Sequence, residues 1–397
     1  MTTPGTAPTR DRGVTGPKGF RAAGVAAGIK ESGALDLALV VNDGPGQAAA
    51  GVFTTNQVKA APVLWSQQVL KERRLNAVVL NSGGANACTG PEGFQDTHAT
   101  AEKVAEVLGV GAVEVAVCST GLIGERLPMD NLKAGIDLAA KELGATDEAG
   151  LAAATAVMTT DTRPKQSWAR HPDGWSVGGF VKGAGMLAPN MATMLSVITT
   201  DAVVDGDALD AALRATTART YDRLDVDGGT STNDTVLVLA SGASGVAPAA
   251  EDFAAVLTAV AADLVKQLQG DAEGVTKEIS ITVNGAVSEA EAVAVARTVA
   301  EDNLVKTALF GSDPNWGRIA MAVGRSPAAV DQHRLGIAVN GVTLFADGHK
   351  AADRAEADLS GRDISIVIEL NLGDGAATVL TTDLSHGYVE ENSAYSS

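Results

Sequence analysis

The side chain best placed to do chemistry is a threonine near the middle of the chain. Two glycines and a proline interrupt the apolar segment 182–195, KGAGMLAPNMATML, so the backbone must turn there instead of continuing one element. The residues that follow, 194–198, are apolar enough to predict a buried strand. Thr193 therefore lies where an irregular segment meets a strand, a position that can hold a hydroxyl group rigidly.

This threonine could cut the chain in front of itself. Attack by its hydroxyl on the carbonyl carbon of Ala192 gives a five-membered cyclic intermediate that collapses to an ester. Hydrolysis of the ester leaves Thr193 as a new N-terminus, whose α-amine has an ordinary pKa of about 8 and can take the proton from the same residue's hydroxyl. The alternative is structural, because threonine is common at the start of strands. The residues alone leave both interpretations open.

Three further segments could contribute to a site. Thr120 and Gly121 follow a predicted strand at 113–117, and a Thr-Gly pair there can present a hydroxyl and a backbone N–H to one point, as an oxyanion site requires. An ordinary turn fits the same pattern. The small residues of 81–90 allow backbone amides to approach a ligand, or make a tight connection between layers. Glu273 lies between small residues, where an acid is by default a solvated surface group.

Other suggestive patterns are better explained as structure. Segment 43–49 partly resembles a dinucleotide fingerprint, but its internal proline and the strand pattern that follows argue against one. Segment 225–235 is rich in acids and hydroxyls without the spacing of an EF-hand, which favours a hydrogen-bonded loop. Arg163 and Lys165 follow a predicted helix, where the helix dipole favours cations.

Composition limits the classes of function. With 397 residues the chain needs more than one core, and a net charge of -18 disfavours nucleic acid and anionic membranes as partners. Two cysteines and five scattered histidines do not make a disulfide framework or a metal site, so no metal is expected. The first residues lack the apolar region of a signal peptide, and no segment is apolar over the length of a membrane span. A cytoplasmic protein is the expectation.

Strands and helices are mixed in the first two thirds, whereas hairpins dominate the end. We predict a disordered tail over 1–12, a core over 13–278 and a C-terminal α/β domain over 279–397. Asn340-Gly341 is a strong signal for a hairpin between 335–339 and 342–345, and Gly373-Asp374-Gly375 indicates a second hairpin between 364–370 and 376–381. Strands are predicted at 37–41, 50–53, 77–80, 113–117, 175–181, 194–198 and 236–239, and helices at 96–108, 130–143, 147–158, 207–219, 252–268 and 288–306.

Segment 182–195 resembles the self-cleavage segment of the ornithine acetyltransferase (glutamate N-acetyltransferase) family of arginine biosynthesis. The resemblance covers essentially the whole chain, and seven segments match in order: 81–90, 119–124, 158–165, 182–195, 225–235, 271–274 and 311–318. Gly84 and Gly229 depart from the more polar residues expected there, and the tail is similar mainly in its length and its asparagine. These departures concern substrate contacts rather than the chemistry.

The resemblance implies an α/β (α+β) fold with an αββα layered core, as in self-cleaving N-terminal-nucleophile-like enzymes. It also implies α and β chains, 1–192 and 193–397, assembled as heterotetramers. Thr193 becomes the nucleophile, Ala192–Thr193 the cleaved bond, and Thr120 with Gly121 the oxyanion hole. The implied substrate contacts are Thr159, Lys182, Thr193, Glu273, Asn392 and Ser397. Among these, Lys182 suits a substrate carboxylate and Glu273 a substrate ammonium, and the choice of Thr159 over its neighbour Thr160 is open.

The implied reaction transfers acetyl from N-acetyl-L-ornithine to L-glutamate through an acetyl-threonine ester. Exchange of one amide for another is nearly isoenergetic, so neither ATP nor a cofactor is needed, although acetyl-CoA could serve as a second donor. Two alternatives remain: a hydrolase, in which water attacks the same ester, and a binding protein in which Thr193 is structural.

Overall fold

The computed structural model describes residues 7–187 and 194–394. Its strands are β1 (Phe20–Val25), β2 (Leu37–Asn42), β3 (Ala48–Phe53), β4 (Ala77–Gly84), β5 (Val115–Leu122), β6 (Lys165–Arg170), β7 (Ser176–Lys182), β8 (Leu195–Thr200), β9 (Thr235–Ala240), β10 (Glu278–Ala286), β11 (Gly336–Val339), β12 (Val342–Ala346), β13 (His349–Lys350), β14 (Asp363–Glu369) and β15 (Gly375–Thr382). Its α-helices are α1 (Ala61–Val69), α2 (Gly90–Leu108), α3 (Met129–Glu142), α4 (Asp147–Ala156), α5 (Gly206–Thr217), α6 (Ala250–Gly270), α7 (Glu289–Ala300), α8 (Asn303–Phe310), α9 (Trp316–Gly324) and α10 (His386–Ala394).

Two sheets pack face to face between helices. The first has the strand order β1-β2-β4-β5 and the second the order β3-β9-β8-β7-β6. Successive side chains of a strand point to opposite faces. Accordingly Phe180 and Val197 join the core with the first sheet, whereas Val181 and Ile198 join a separate core with α5 and α6. Helices α2, α3 and α4 cover the other face of the first sheet. The predicted αββα core is confirmed.

The direction of the strands brings the candidate residues to one end of this sandwich. β4 and β5 are parallel, so their carboxyl ends lie side by side, with Ser82 opposite Thr120. β7 and β8 are antiparallel, and Lys182, the last residue of β7, pairs with Leu195, the first of β8. The chain therefore leaves β7 and enters β8 at the same end of the sheet.

A third sheet forms the C-terminal part, in the order β13-β12-β11-β14-β10-β15. The hairpin at Asn340-Gly341 is confirmed, and both residues have the positive φ that a type I′ turn requires, 46° and 81°. The second predicted hairpin is wrong. β10 lies between β14 and β15, parallel to the first and antiparallel to the second, so these two strands do not pair. β10, which comes much earlier in the sequence, occupies the position between β14 and β15.

The boundary between 278 and 279 stays a prediction, and it falls one residue inside β10. The last fully buried apolar residue in the core with α5 and α6 is Ala272. The first one in the core of the C-terminal sheet is Ile279. The predicted disorder of 1–12 does not hold for its described part. Thr9 exchanges backbone hydrogen bonds with Trp168, and Arg10 forms an ion pair with Asp263 at 2.7 Å.

Two further expectations need correction. The loop predicted from residue 81 begins later, because β4 continues to Gly84 beside β5. The helix predicted over 288–306 is two helices, α7 and α8. Asp302 has extended backbone, with φ -77° and ψ 113°, and its carboxylate accepts from the N–H groups of Leu304 and Val305. A side-chain cap of this kind starts a new helix.

Candidate active site

The predicted site residues that the structure describes converge on one pocket. It has a volume of about 130 Å³ and lies at the ends of β5 and β7. Six predicted residues line it: Thr120, Gly121, Thr159, Lys182, Glu273 and Asn392. They come from five separate parts of the chain. Thr193, Ala192 and Ser397 lie outside the described residues.

A buried cation forms one pole of the pocket. Lys182 is 1% exposed, and its Nζ donates to Thr120 Oγ1 at 3.1 Å and to Thr159 Oγ1 at 3.0 Å. Burial lowers the pKa of Lys182, because the charged form loses hydration, while the negative charge of Asp161 acts in the opposite direction. A cation held by two hydroxyls in this way suits an anionic group of a ligand.

The end of β5 requires glycine beside the threonine. Gly121 has φ 131°, and a Cβ there would lie 2.4 Å from the backbone carbon of Gly83 in β4. The close approach of the two strands thus fixes Thr120 at the rim, with its hydroxyl facing Lys182. The role of Thr120 and Gly121 as an oxyanion hole remains a prediction.

An acid forms the opposite pole. The Glu273 carboxylate accepts from Thr160 Oγ1 at 2.7 Å and from Asn392 Nδ2 at 2.9 Å. It also packs over Gly185, where a Cβ would lie 2.2 Å from Oε2. The adjacent threonines therefore divide between the poles: Thr159 contacts the lysine and Thr160 the glutamate. Both line the pocket, and the choice of Thr159 over Thr160 as the substrate contact stays a prediction.

Loop 225–235 holds the chain on both sides of the undescribed segment 188–193. Asp227 accepts from the backbone N–H of Met186 at 2.7 Å, and Asp234 accepts from that of Met194 at 3.0 Å. Burial raises the pKa of Asp234 well above its usual value. The prediction of a hydrogen-bonded loop is confirmed.

Sequence reasoning missed a buried ionic cluster directly behind the pocket. Lys165 is not a cation at a helix end, since α4 stops at Ala156 and Lys165 begins β6. Its Nζ lies 2.5 Å from Asp161 and 2.5 Å from Asp271. The spacing of Asp161 and Lys165 is a signal for pairing, but it predicts neither their burial nor the contribution of Asp271, which is distant in the sequence.

No group of His, Cys, Asp and Glu side chains within 7–187 and 194–394 is arranged to hold a metal ion. In the same part of the chain, no helix combines the length and the apolar character that crossing a membrane requires.

Hydroxyl, amine and carboxylate side chains thus converge at the strand ends of an αββα sandwich. Residues 21–397 match the family described as the ArgJ family. The chain belongs to this family.

Its relatives are similar over nearly their whole length. An "Arginine biosynthesis bifunctional protein ArgJ" from Mycolicibacterium paratuberculosis is 63% identical over 393 residues, which is 98% of this chain and 97% of the relative. The protein of the same name from Streptomyces coelicolor is 59% identical over 384 residues, 97% of this chain and 100% of the relative. A solved structure of ornithine acetyltransferase complexed with ornithine, from Mycobacterium tuberculosis, is 67% identical. That match covers 46% of this chain and 97% of the solved chain, with a TM-score of 0.46.

Proposed function

We propose that this chain is a glutamate N-acetyltransferase of L-arginine biosynthesis. It transfers acetyl from N-acetyl-L-ornithine to L-glutamate through an acetyl ester on Thr193, after cleavage of the Ala192–Thr193 bond. The observation that carries this proposal is the pocket with a buried cation at one pole and a carboxylate at the other. The relatives' names, arginine biosynthesis and ornithine acetyltransferase, agree with it.

The two poles match the two charges of the donor. N-acetyl-L-ornithine carries an α-carboxylate and a side-chain ammonium at opposite ends, with the acetylated nitrogen next to the carboxylate. Lys182 binds the carboxylate through charge-assisted hydrogen bonds, and Glu273 with Asn392 receives the ammonium. Because Thr159 and Thr160 hold these two groups from adjacent positions, the distance between the poles is set by one short loop.

In the first half-reaction, the Thr193 hydroxyl attacks the acetyl carbonyl carbon. The α-amine of Thr193 takes the hydroxyl proton, and the tetrahedral oxyanion is held at Thr120 and Gly121. The amine then gives the proton to the α-nitrogen of ornithine as the bond from that nitrogen to the acetyl carbon breaks. Ornithine leaves, and the acetyl group stays on the threonine as an ester.

In the second half-reaction, the α-amine of L-glutamate attacks the ester carbonyl carbon. The attacking nitrogen gives a proton to the Thr193 α-amine. The C–O bond to threonine then breaks, the amine passes this proton to the threonine oxygen, and N-acetyl-L-glutamate leaves. Water competes for the same ester, so the enzyme must restrict water while the pocket is acetylated. Ping-pong kinetics follow from this order of events.

The same proposal covers the subunit assembly, the cofactor requirement and the cellular location of the enzyme. We propose that chains 1–192 and 193–397 assemble as two α and two β chains, without metal or cofactor, in the cytoplasm. The division into a core of 13–278 and a C-terminal domain of 279–397 belongs to it, and α10 of the second unit reaches back to place Asn392 against Glu273.

Acetyl-CoA is a second candidate donor. The relatives are named bifunctional, and an enzyme that acetylates glutamate from either donor could begin arginine synthesis as well as recycle the acetyl group. The same acetyl-threonine ester and the same acceptor would serve both reactions.

Steady-state kinetics with both substrates test the proposal. Parallel lines in double-reciprocal plots and formation of N-acetyl-L-glutamate in equal amount to ornithine are expected. Release of acetate at the same rate with and without glutamate would identify a hydrolase instead. Replacing N-acetyl-L-ornithine by acetyl-CoA in the same assay determines whether the second donor is used.

A further inference from the structure

Three charged side chains lie buried behind the pocket without lining it. Lys165 and Asp161 have side chains that are 0% exposed, and that of Asp271 is 4% exposed. The ammonium of Lys165 lies between the two carboxylates, 2.5 Å from each. We call these three residues the buried clamp.

Asp161 connects the clamp to the cationic pole. One of its oxygens accepts from the backbone N–H of Gly183 at 2.7 Å, next to Lys182. The other accepts from the N–H of Thr159 at 3.0 Å. Lys182 and Thr159 are also joined through their side chains, because Lys182 Nζ donates to Thr159 Oγ1. Asp161 therefore fixes both ends of that bond through the backbone.

Asp271 connects the clamp to the acidic pole. Its carboxylate accepts from the backbone N–H of Thr162 at 3.1 Å and from the Thr162 hydroxyl. Glu273 follows two residues later, and its own N–H donates to Ala184 O at 2.9 Å. The turn that carries Glu273 is thus tied to the loop of 159–162 and to the chain leaving β7.

Stability alone does not account for such a cluster. Removing charges from water costs several kcal/mol for each ion, and well-packed apolar residues of similar volume are often as stabilising as a buried ion pair. What a buried network of charges and hydrogen bonds provides is a defined geometry. Here the groups whose geometry it defines are the two poles of the pocket.

We propose that Lys165, Asp161 and Asp271 act as positioning residues that set the separation and orientation of Lys182 and Glu273, and so determine affinity for a zwitterionic substrate. This inference rests on the proposed function, since it assumes that the poles bind the two charges of one molecule. Lys165 pairs with both Asp161 and Asp271, and Asp271 also lies 3.9 Å from Arg163. Loss of Lys165 leaves Asp161 without its nearest ammonium, so that its carboxylate draws Lys182 away from Thr159.

Lys165→Met tests this, with Lys277→Met as the matched control. Lys277 is another buried lysine, 8% exposed, whose Nζ donates to the carbonyl groups of 359–361. Both variants are expected to lower the melting temperature. Only Lys165→Met is expected to raise the KM for N-acetyl-L-ornithine, by about tenfold or more, with a smaller change in kcat. Kinetics are measured on the cleaved fraction, quantified by intact mass.

Asp271→Asn covers the case in which Lys165→Met does not fold, because it keeps the shape and removes one charge. It should raise KM by about threefold or more. If the folded variants keep the wild-type KM, or if Lys277→Met raises KM equally, the clamp is not a positioning device, although acetyl transfer by the wild type stands. If the wild type itself shows no acetyl transfer, the proposed function fails instead.

Discussion

At the scale of the residue, two side chains of the same type, adjacent in the sequence, contact different groups in the pocket. Thr159 and Thr160 are neighbours, yet one bonds to Lys182 and the other to Glu273. Both contacts are short-range and charge-assisted, so they orient as well as attract. The two hydroxyls therefore determine where the charged groups of Lys182 and Glu273 stand, and we propose that these two groups select the substrate.

Glu273→Gln tests the acidic pole. Glutamine keeps the size of the side chain and an acceptor oxygen but removes the charge that we propose receives the ornithine ammonium. The KM for N-acetyl-L-ornithine should therefore rise about tenfold to a hundredfold. Initial rates at saturating glutamate measure this. Glu278→Gln is the control, because Glu278 pairs with Lys266 and Arg362 outside the pocket. An equal effect of the two substitutions on KM would contradict the assignment.

At the scale of the element, capping side chains decide where helices begin. The apolar pattern of 288–306 reads as one helix, but Asp302 breaks it and starts α8, where its carboxylate also pairs with Arg325 at 3.1 Å. α8 carries Lys306 into the space between the core and the C-terminal sheet. The cap is therefore needed for the position of a buried charge as well as for the helix itself.

Asp302→Ala should lower the free energy of unfolding by about 1–2 kcal/mol, because it removes the helix cap and the partner of Arg325. Urea denaturation monitored by circular dichroism measures the change. Asp130→Ala, in the first turn of α3, removes an exposed acid and should cost less than about 1 kcal/mol. A cost for Asp302→Ala no greater than that of Asp130→Ala would show that α8 starts without its cap.

Local sequence patterns predicted most helices and strands. They failed where a segment distant in the sequence pairs with a strand in place of its neighbour. Asn340-Gly341 fixes its hairpin because the turn geometry lies within two residues. The second hairpin was wrong because β10 inserts between β14 and β15, which no local pattern records. At the site, Lys182 and Glu273 followed from the family resemblance, whereas Lys165 was misread because its partner Asp271 joins only on folding.

At the scale of the whole molecule, buried polar groups connect the core to the C-terminal domain. Lys306 donates to Thr381 Oγ1 at 3.1 Å and to the Thr382 carbonyl, and it faces Asp225, Asp227 and Asp383. Burial lowers its pKa from 10.5 to about 8, against the attraction of these carboxylates. We therefore expect the stability of this connection to depend on pH.

The sign of this effect can be measured. Above the folded-state pKa of about 8, the folded protein releases the Lys306 proton while the unfolded chain keeps it up to 10.5. The free energy of unfolding should therefore rise with pH in that interval, by about 2 kcal/mol between about pH 8 and pH 10, relative to Lys306→Met. Urea titrations of both proteins across this range measure the difference. A difference that does not change with pH would contradict the shifted pKa.

The central claim is that Thr193 cuts the chain and then carries the acetyl group, and intact-mass spectrometry tests it most directly. The purified protein should show two chains divided at Ala192–Thr193. After brief incubation with N-acetyl-L-ornithine alone, the chain of 193–397 should be heavier by one acetyl group, which glutamate then removes. Thr193→Ala should remain a single chain without acetyl. An uncut, active wild type, or an acetyl group on the chain of 1–192, would contradict the account.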